Sequence, residues 1–218
     1  DIFLQQLING LVLGSVYALV ALGYTMVYGI LELINFAHGE ITMMGAMVAL
    51  AVIGALALAA PGLPGVLVLG AGLAVAIPVC VALGLLIERV AYRPLRHAPR
   101  LAPLITAIGV SIILQNIAML IWGKQYIPFP AILPQARHTV YGASITNVQI
   151  AILLLATGIM LTLILVVRKT RLGRAMRATA QSRQVASLMG VDVNRVIAAT
   201  FAIGSALAAV AGVMVSAY

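Results

Sequence analysis

The feature that most restricts what this chain can fold into is a run of thirty residues, Ile2 to Leu31, without a single charged side chain. As an α-helix that run would measure about 45 Å, more than the ~30 Å hydrocarbon layer of a bilayer requires. The excess implies tilt, an interfacial beginning around Gln5, Gln6 and Asn9, or a break near Gly23 or Gly29. Five further apolar stretches follow, each long enough for one span of about 20 residues. Backbone polar groups in lipid must bond within their own segment, so such runs become helices. The expected fold is all-α, a polytopic transmembrane bundle forming one domain over 1–218, with spans at roughly 8–31, 41–60, 66–87, 101–122, 148–167 and 196–218. Pro78 should kink the third span.

Composition agrees. Charged residues make up 8% of the chain and hydrophobic ones 63%, whereas a soluble domain carries roughly a quarter charged residues. Too little polar surface remains to face water on all sides, which excludes a soluble enzyme. The net charge of +8 does not indicate nucleic acid, because the basic residues stand in short blocks between apolar runs. Arg89, Arg93, Arg96 and Arg100 occupy the connector 88–100, and seven more lie in 168–195. The loop 124–146 holds only Lys124 and Arg137. By the positive-inside rule the two basic segments are cytoplasmic. The turn 61–65, the loop 124–146 and the N-terminus then lie outside, and 32–40 inside or part-way in. Trp122, Tyr126, Phe129 and Tyr141 flank the outer loop as an interfacial belt would. The one cysteine, Cys80, lies in an apolar run and reads as packing. No phosphate loop, zinc-protease helix or nucleophile elbow is present, so no cofactor, metal or catalytic group is expected.

Two segments carry unusual chemistry. Asn35, His38, Gly39 and Glu40 concentrate polar and ionisable groups between two spans. Each ionised group at mid-membrane costs about 2.5–3.5 kcal/mol on insertion scales. They mark either a broken helix near 34–40 that lines a translocation path, or a wet cytoplasmic turn with Asn35 as an N-cap. The second segment is 168–195. Ser182 can cap a short helix, Arg183 to Met189, closed by Gly190, and Asp192 can cap the next span. Val185, Leu188 and Met189 would then face no lipid. The segment is either a docking knob, with Arg183, Val185, Ala186, Leu188, Met189, Gly190 and Arg195 as its coupling residues, or an amphipathic connector on anionic lipid. Gln115 and Asn116 within the fourth span read first as amides that hold helices together.

The stretch GYTMVYGILELINFAHGEI, Gly23 to Ile41, resembles the permease subunits of branched-chain amino acid ABC importers. So do ERVAYRPLR (88–96), AIGVSIILQN (107–116) and GRAMRATAQSRQVASLMGVDVNRVI (173–197), the last resembling the loop that couples such permeases to their ATPases. The resemblance implies a multi-pass protein of the bacterial inner membrane that carries leucine, isoleucine and valine. It implies assembly with a second homologous permease subunit, two ATP-binding subunits that hydrolyse ATP, and a periplasmic substrate-binding protein, in contact with membrane lipid and not with nucleic acid. Family members run on past the position of Tyr218, so this chain is expected to be a truncated member. The alternatives are a permease for amides or urea, or a self-sufficient secondary transporter. The charge distribution predicts that, in a Cys80→Ser background, Ser182→Cys is labelled only from the cytoplasmic side and Ser144→Cys only from outside; labelling of both from one side contradicts the topology.

Overall fold

The computed structural model describes residues 2–96, 98–99, 101–125, 127–130, 136–140 and 143–218. Tyr126, Tyr141 and Arg100, assigned above to the interfacial belt and the basic connector, lie outside them. Six of the described helices are long and apolar enough to cross a membrane. They are α1 (Ile2–Leu31), α2 (His38–Ala59), α3 (Gly65–Ile87, prolonged by a π-helical turn, Glu88–Tyr92), α4 (Leu101–Trp122), α5 (Asn147–Lys169) and α8 (Val193–Ala217). Two short helices, α6 (Arg171–Gln181) and α7 (Arg183–Leu188), separate α5 from α8.

α1 is continuous over all 30 residues, so its excess length is not taken up by a break at Gly23 or Gly29. The connector after α3 also departs from expectation. Residues 88–92 continue the helix, and Glu88 and Tyr92 are buried. An ion pair between Glu88 and Arg96 fixes that turn, and the Tyr92 ring rests on Phe201 of α8 with centroids 5.3 Å apart. The loop between α4 and α5 holds two antiparallel paired strands, β1 (Arg137–Val140) and β2 (Ala143–Thr146). Gln5 of α1 stitches to it: its Oε1 accepts from the Ser144 amide at 2.7 Å and its Nε2 donates to the Ser144 carbonyl at 3.0 Å. Thr146 then opens α5 with a capping box to Gln149.

α8 is the centre of the bundle. Of its most apolar stretch 72% is buried, against at most 28% for any other span. The others keep broad apolar faces exposed, as lipid-facing helices do. Small residues allow this centrality. A methyl group on Gly45 of α2 would stand 2.7 Å from Ala209 Cα. Gly212 lies against the Thr42 carbonyl, and Gly84 of α3 against Ser205. Gly23 of α1 lies beside Gly204, so three helices approach α8 at backbone distance, the packing mode of small residues in membranes.

α6 repeats its faces every third residue. Gly173, Met176 and Thr179 are buried, while Arg171, Arg174 and Arg177 are exposed. Thr170 joins it to α5 at a sharp corner, accepting from the Gly173 amide at 3.0 Å. The basic segments meet at one end of the bundle. Arg183 reaches the carboxyl end of α1, and Arg96 reaches Asn194 at the start of α8. The paired strands and the amino end of α1 meet at the other.

Candidate functional site

Residues 32–37 form a non-helical passage between α1 and α2. It begins at Glu32, whose φ of 55° is left-handed, and is held from within. Asn35 is buried, and its Oδ1 accepts from the Ala37 amide at 3.2 Å and the Tyr92 hydroxyl at 3.0 Å. It caps no helix: the residue before α2 is Ala37, with no side-chain cap. His38 is 1% exposed. Its ring stacks at a tilt on Tyr24, 4.5 Å between centroids, and fills the space above Gly23, where any Cβ would collide with it. Cys80 of α3 donates to the Ile41 carbonyl across the same joint, at 3.6 Å.

The passage brings α2 in part-way along its neighbours. His38 lies at Gly23, and Gly23 lies beside Gly204, eleven residues into α8. At 1.5 Å per residue that is about 16 Å from the basic end. Glu40 gives a second ruler. Its Oε1 accepts from Ser111 Oγ at 2.9 Å and Gln115 Nε2 at 2.7 Å. Those residues lie ten and fourteen positions into α4, about 15–21 Å along it. Both place the start of α2 near half the ~30 Å depth of a hydrocarbon core. A carboxylate there requires compensation, which Ser111 and Gln115 supply as donors.

The four residues singled out between the first two spans therefore divide. Asn35 and His38 face inward and hold the passage against α1, α3 and α8. Gly39 is exposed and Glu40 half-buried, on the side where α4 stands off. Sequence reasoning missed Ser111 as a partner of Glu40. Gln115 joins two helices as an amide in a span is expected to, whereas Asn116 is exposed and bonds only the Ile112 carbonyl of its own helix.

In the second candidate segment, Ser182 caps α7 by accepting from the Val185 amide at 3.3 Å, and Asp192 caps α8 by accepting from the Arg195 amide at 3.2 Å. α7 ends at Leu188 with Met189 as its C-cap, one residue earlier than expected. The Val191 amide donates to the Ala186 carbonyl and the Gly190 amide to the Ser187 carbonyl, both at 3.0 Å. With Gly190 at φ 83° this is a Schellman closure. Leu188 is 86% exposed, Met189 79% and Val185 56%. Ala186 is buried. Arg183 turns inward, donating from Nε to the Ile30 carbonyl at 3.2 Å and from Nη2 to the Leu31 carbonyl at 2.7 Å. It closes α1, whose last carbonyls have no helical partner. Arg195 is exposed and pairs with Asp192 at 3.0 Å.

Residues 6–218 match the family model described as the permease component of the branched-chain amino acid transport system. The chain is 47% identical over 216 residues to the high-affinity branched-chain amino acid transport system permease protein LivH of Escherichia coli, covering 97% of this chain and 70% of that protein. The figures are the same for LivH of Salmonella typhimurium. Identity to the permease protein BraD of Pseudomonas aeruginosa is 48% over 217 residues, with the same coverage. No solved structure matches the chain.

The geometry at Glu40 makes a stability prediction. Glu40→Ala strands the Ser111 and Gln115 donors and should lower the stability of the purified protein by about 1–2 kcal/mol. Asn116→Leu should stay within about 0.5 kcal/mol. Thermal unfolding in micelles reads both, and equal shifts contradict the assignment of Glu40 as the anchor of α4.

Proposed function

We propose that this chain, which belongs to the family of branched-chain amino acid transport system permease components, forms with its partners the translocation path for leucine, isoleucine and valine. The observation that carries this is the match along almost the whole chain, to a family model and to LivH and BraD alike. The protein is a multi-pass inner-membrane transport subunit of an ABC importer and not an enzyme. Its proposed assembly contains a second homologous permease subunit, two ATP-binding subunits that hydrolyse the nucleotide, and a periplasmic substrate-binding protein.

Two sites are assigned within that reading. The path runs beside the passage 32–40, with Gly39 and Glu40 on its open side and Asn35 and His38 as its inner support. A helix that starts mid-depth leaves room for a polar solute at the level where lipid would exclude one, and irregular backbone at that depth is tolerated where protein or a cavity surrounds it. Coupling to the ATP-binding subunits runs through α7. A chain without a phosphate loop receives mechanical work from another, and work passes through an element whose contacts differ between two states. α7 has a cap at both ends, which supports its acting as a rigid unit. Val185, Leu188 and Met189 are the apolar contacts it offers, Gly190 sets its exit, and Arg195 steers the encounter. Arg183 and Ala186 contribute from behind, tying the helix to α1 and the bundle.

Gly190→Val places a β-branched residue at a left-handed position, a strain of about 1–2 kcal/mol. It should redirect the knob and uncouple the complex: the permease inserts, but ATP hydrolysis responds weakly to loaded binding protein. Leu188→Asp should reduce ATP-binding-subunit retention at least tenfold. Arg174→Ala, basic and exposed on α6, should change neither. Normal retention and normal solute-stimulated hydrolysis in both knob variants contradict the coupling assignment.

A further inference from the structure

A cavity of about 310 Å³ opens at the basic end of the bundle. Its walls include Ile30 and Leu31 at the end of α1, Arg96 of the connector, Pro103 of α4, and Thr179 and Arg183 at the α6–α7 corner. It shares Glu32 with the passage and Arg183 with the support of α7, but no role above is assigned to the cavity itself.

Arg96 is the anchor of the argument. Its side chain is only one-tenth exposed. It pairs with Glu88 and bonds Asn194, yet its Nε has no hydrogen-bond partner among the described residues. A buried guanidinium donor left without a partner is destabilising. Arg183, on the same cavity, spends Nε and Nη2 on backbone carbonyls, which are dipoles and not countercharges. Burial, first, pulls the Arg96 pKa below its ordinary value; the nearby Arg93 and Arg183 act in the same direction, and Glu88 opposes them. Among the described residues, Glu88 is the buried carboxylate that pairs with Arg96. Glu32 also lines the cavity and is exposed. Beside it α6 presents Arg171, Arg174 and Arg177 outward, a surface that gathers anionic lipid at a cytoplasmic leaflet.

We propose that this cavity is a binding site for a phosphate group, held between Arg96 and Arg183. Guanidinium forks match phosphate oxygens in geometry and charge, and basic pockets between membrane helices take lipid headgroups. The apolar wall of Ile30, Leu31 and Pro103 suits the glycerol and first methylenes of an anionic phospholipid, and a free phosphate brings the same charged oxygens. A bound phosphate bridges the end of α1, the connector and the α6–α7 corner, and so braces the segment that carries α7. The site stands on its own geometry and does not depend on the transport assignment.

The test titrates the assembled, detergent-purified complex with phosphatidylglycerol or with inorganic phosphate, and counts bound molecules by native mass spectrometry. Saturable binding at one site per permease chain is expected. Arg183→Gln, which keeps donors toward the α1 carbonyls, should weaken it about fivefold. Ala180→Glu, which brings a carboxylate to an exposed position on the cavity wall and removes no contact described above, should weaken it at least as much while leaving the complex assembled. Losses seen with phosphatidylglycerol identify the lipid as the source, and losses seen with inorganic phosphate alone identify the solution ion. If wild type and both variants bind each probe equally, or wild type binds neither, the proposal is overturned.

Discussion

Everything else in this bundle depends on how closely α8 is approached. Lipid offers no hydrophobic incentive for one apolar helix to leave it for another, so association rests on packing and on interhelical hydrogen bonds. α8 meets that constraint with small residues, GSALAAVAG over 204–212. Gly45, Gly84 and Gly23 answer from α2, α3 and α1. Three helices can then touch the fourth along their backbones, and dispersion contacts that are small singly add over the seam. The remaining helices stay peripheral because they carry no such seam toward the centre.

The seam also fixes where the polar groups lie. Because Gly45 meets Ala209 and Gly23 meets Gly204, α2 must begin well above the end of α1. The chain covers that interval without a helix, and its exposed backbone is satisfied by Asn35 and enclosed by Tyr92 and His38. Glu40 then arrives opposite the middle of α4 and is met there by Ser111 and Gln115. At the basic end Arg183 closes α1 and Arg96 ties α3 to α8, so the α6–α7 segment is fastened to the same frame that positions the passage. Movement of α7 would be transmitted directly to the end of α1 and the start of the passage.

Much of this was legible in the sequence where the signal is local. Apolar runs of span length pointed to a polytopic helical bundle, and six described helices are long and apolar enough to cross a membrane. Ser182, Gly190 and Asp192 announced the ends of α7 and the start of α8, because caps and left-handed closures act within a few residues. Contacts between distant segments were not legible. Nothing near Arg183 shows that it bonds carbonyls some 150 residues earlier, and it read as a coupling residue of the docking knob. Residues 88–92 read as a connector because their charges hid a helical turn whose burial comes from Arg96, Asn35 and Phe201. The hairpin strands, 137–140 and 143–146, are too short and polar to stand out. The run of Ala and Gly in α8 was the one available sign of its central place, and small residues at membrane interfaces give it meaning.

The claim that α8 and its small-residue seam set the architecture is tested most directly at Gly212. Gly212→Leu drives a side chain into the Thr42 backbone, whereas Gly54→Leu on the outer face of α2 meets nothing within 4 Å. Thermal unfolding of the purified protein should show Gly212→Leu destabilised by about 1–3 kcal/mol or unable to fold, with Gly54→Leu near wild type. Equal stability of the two variants would contradict the account.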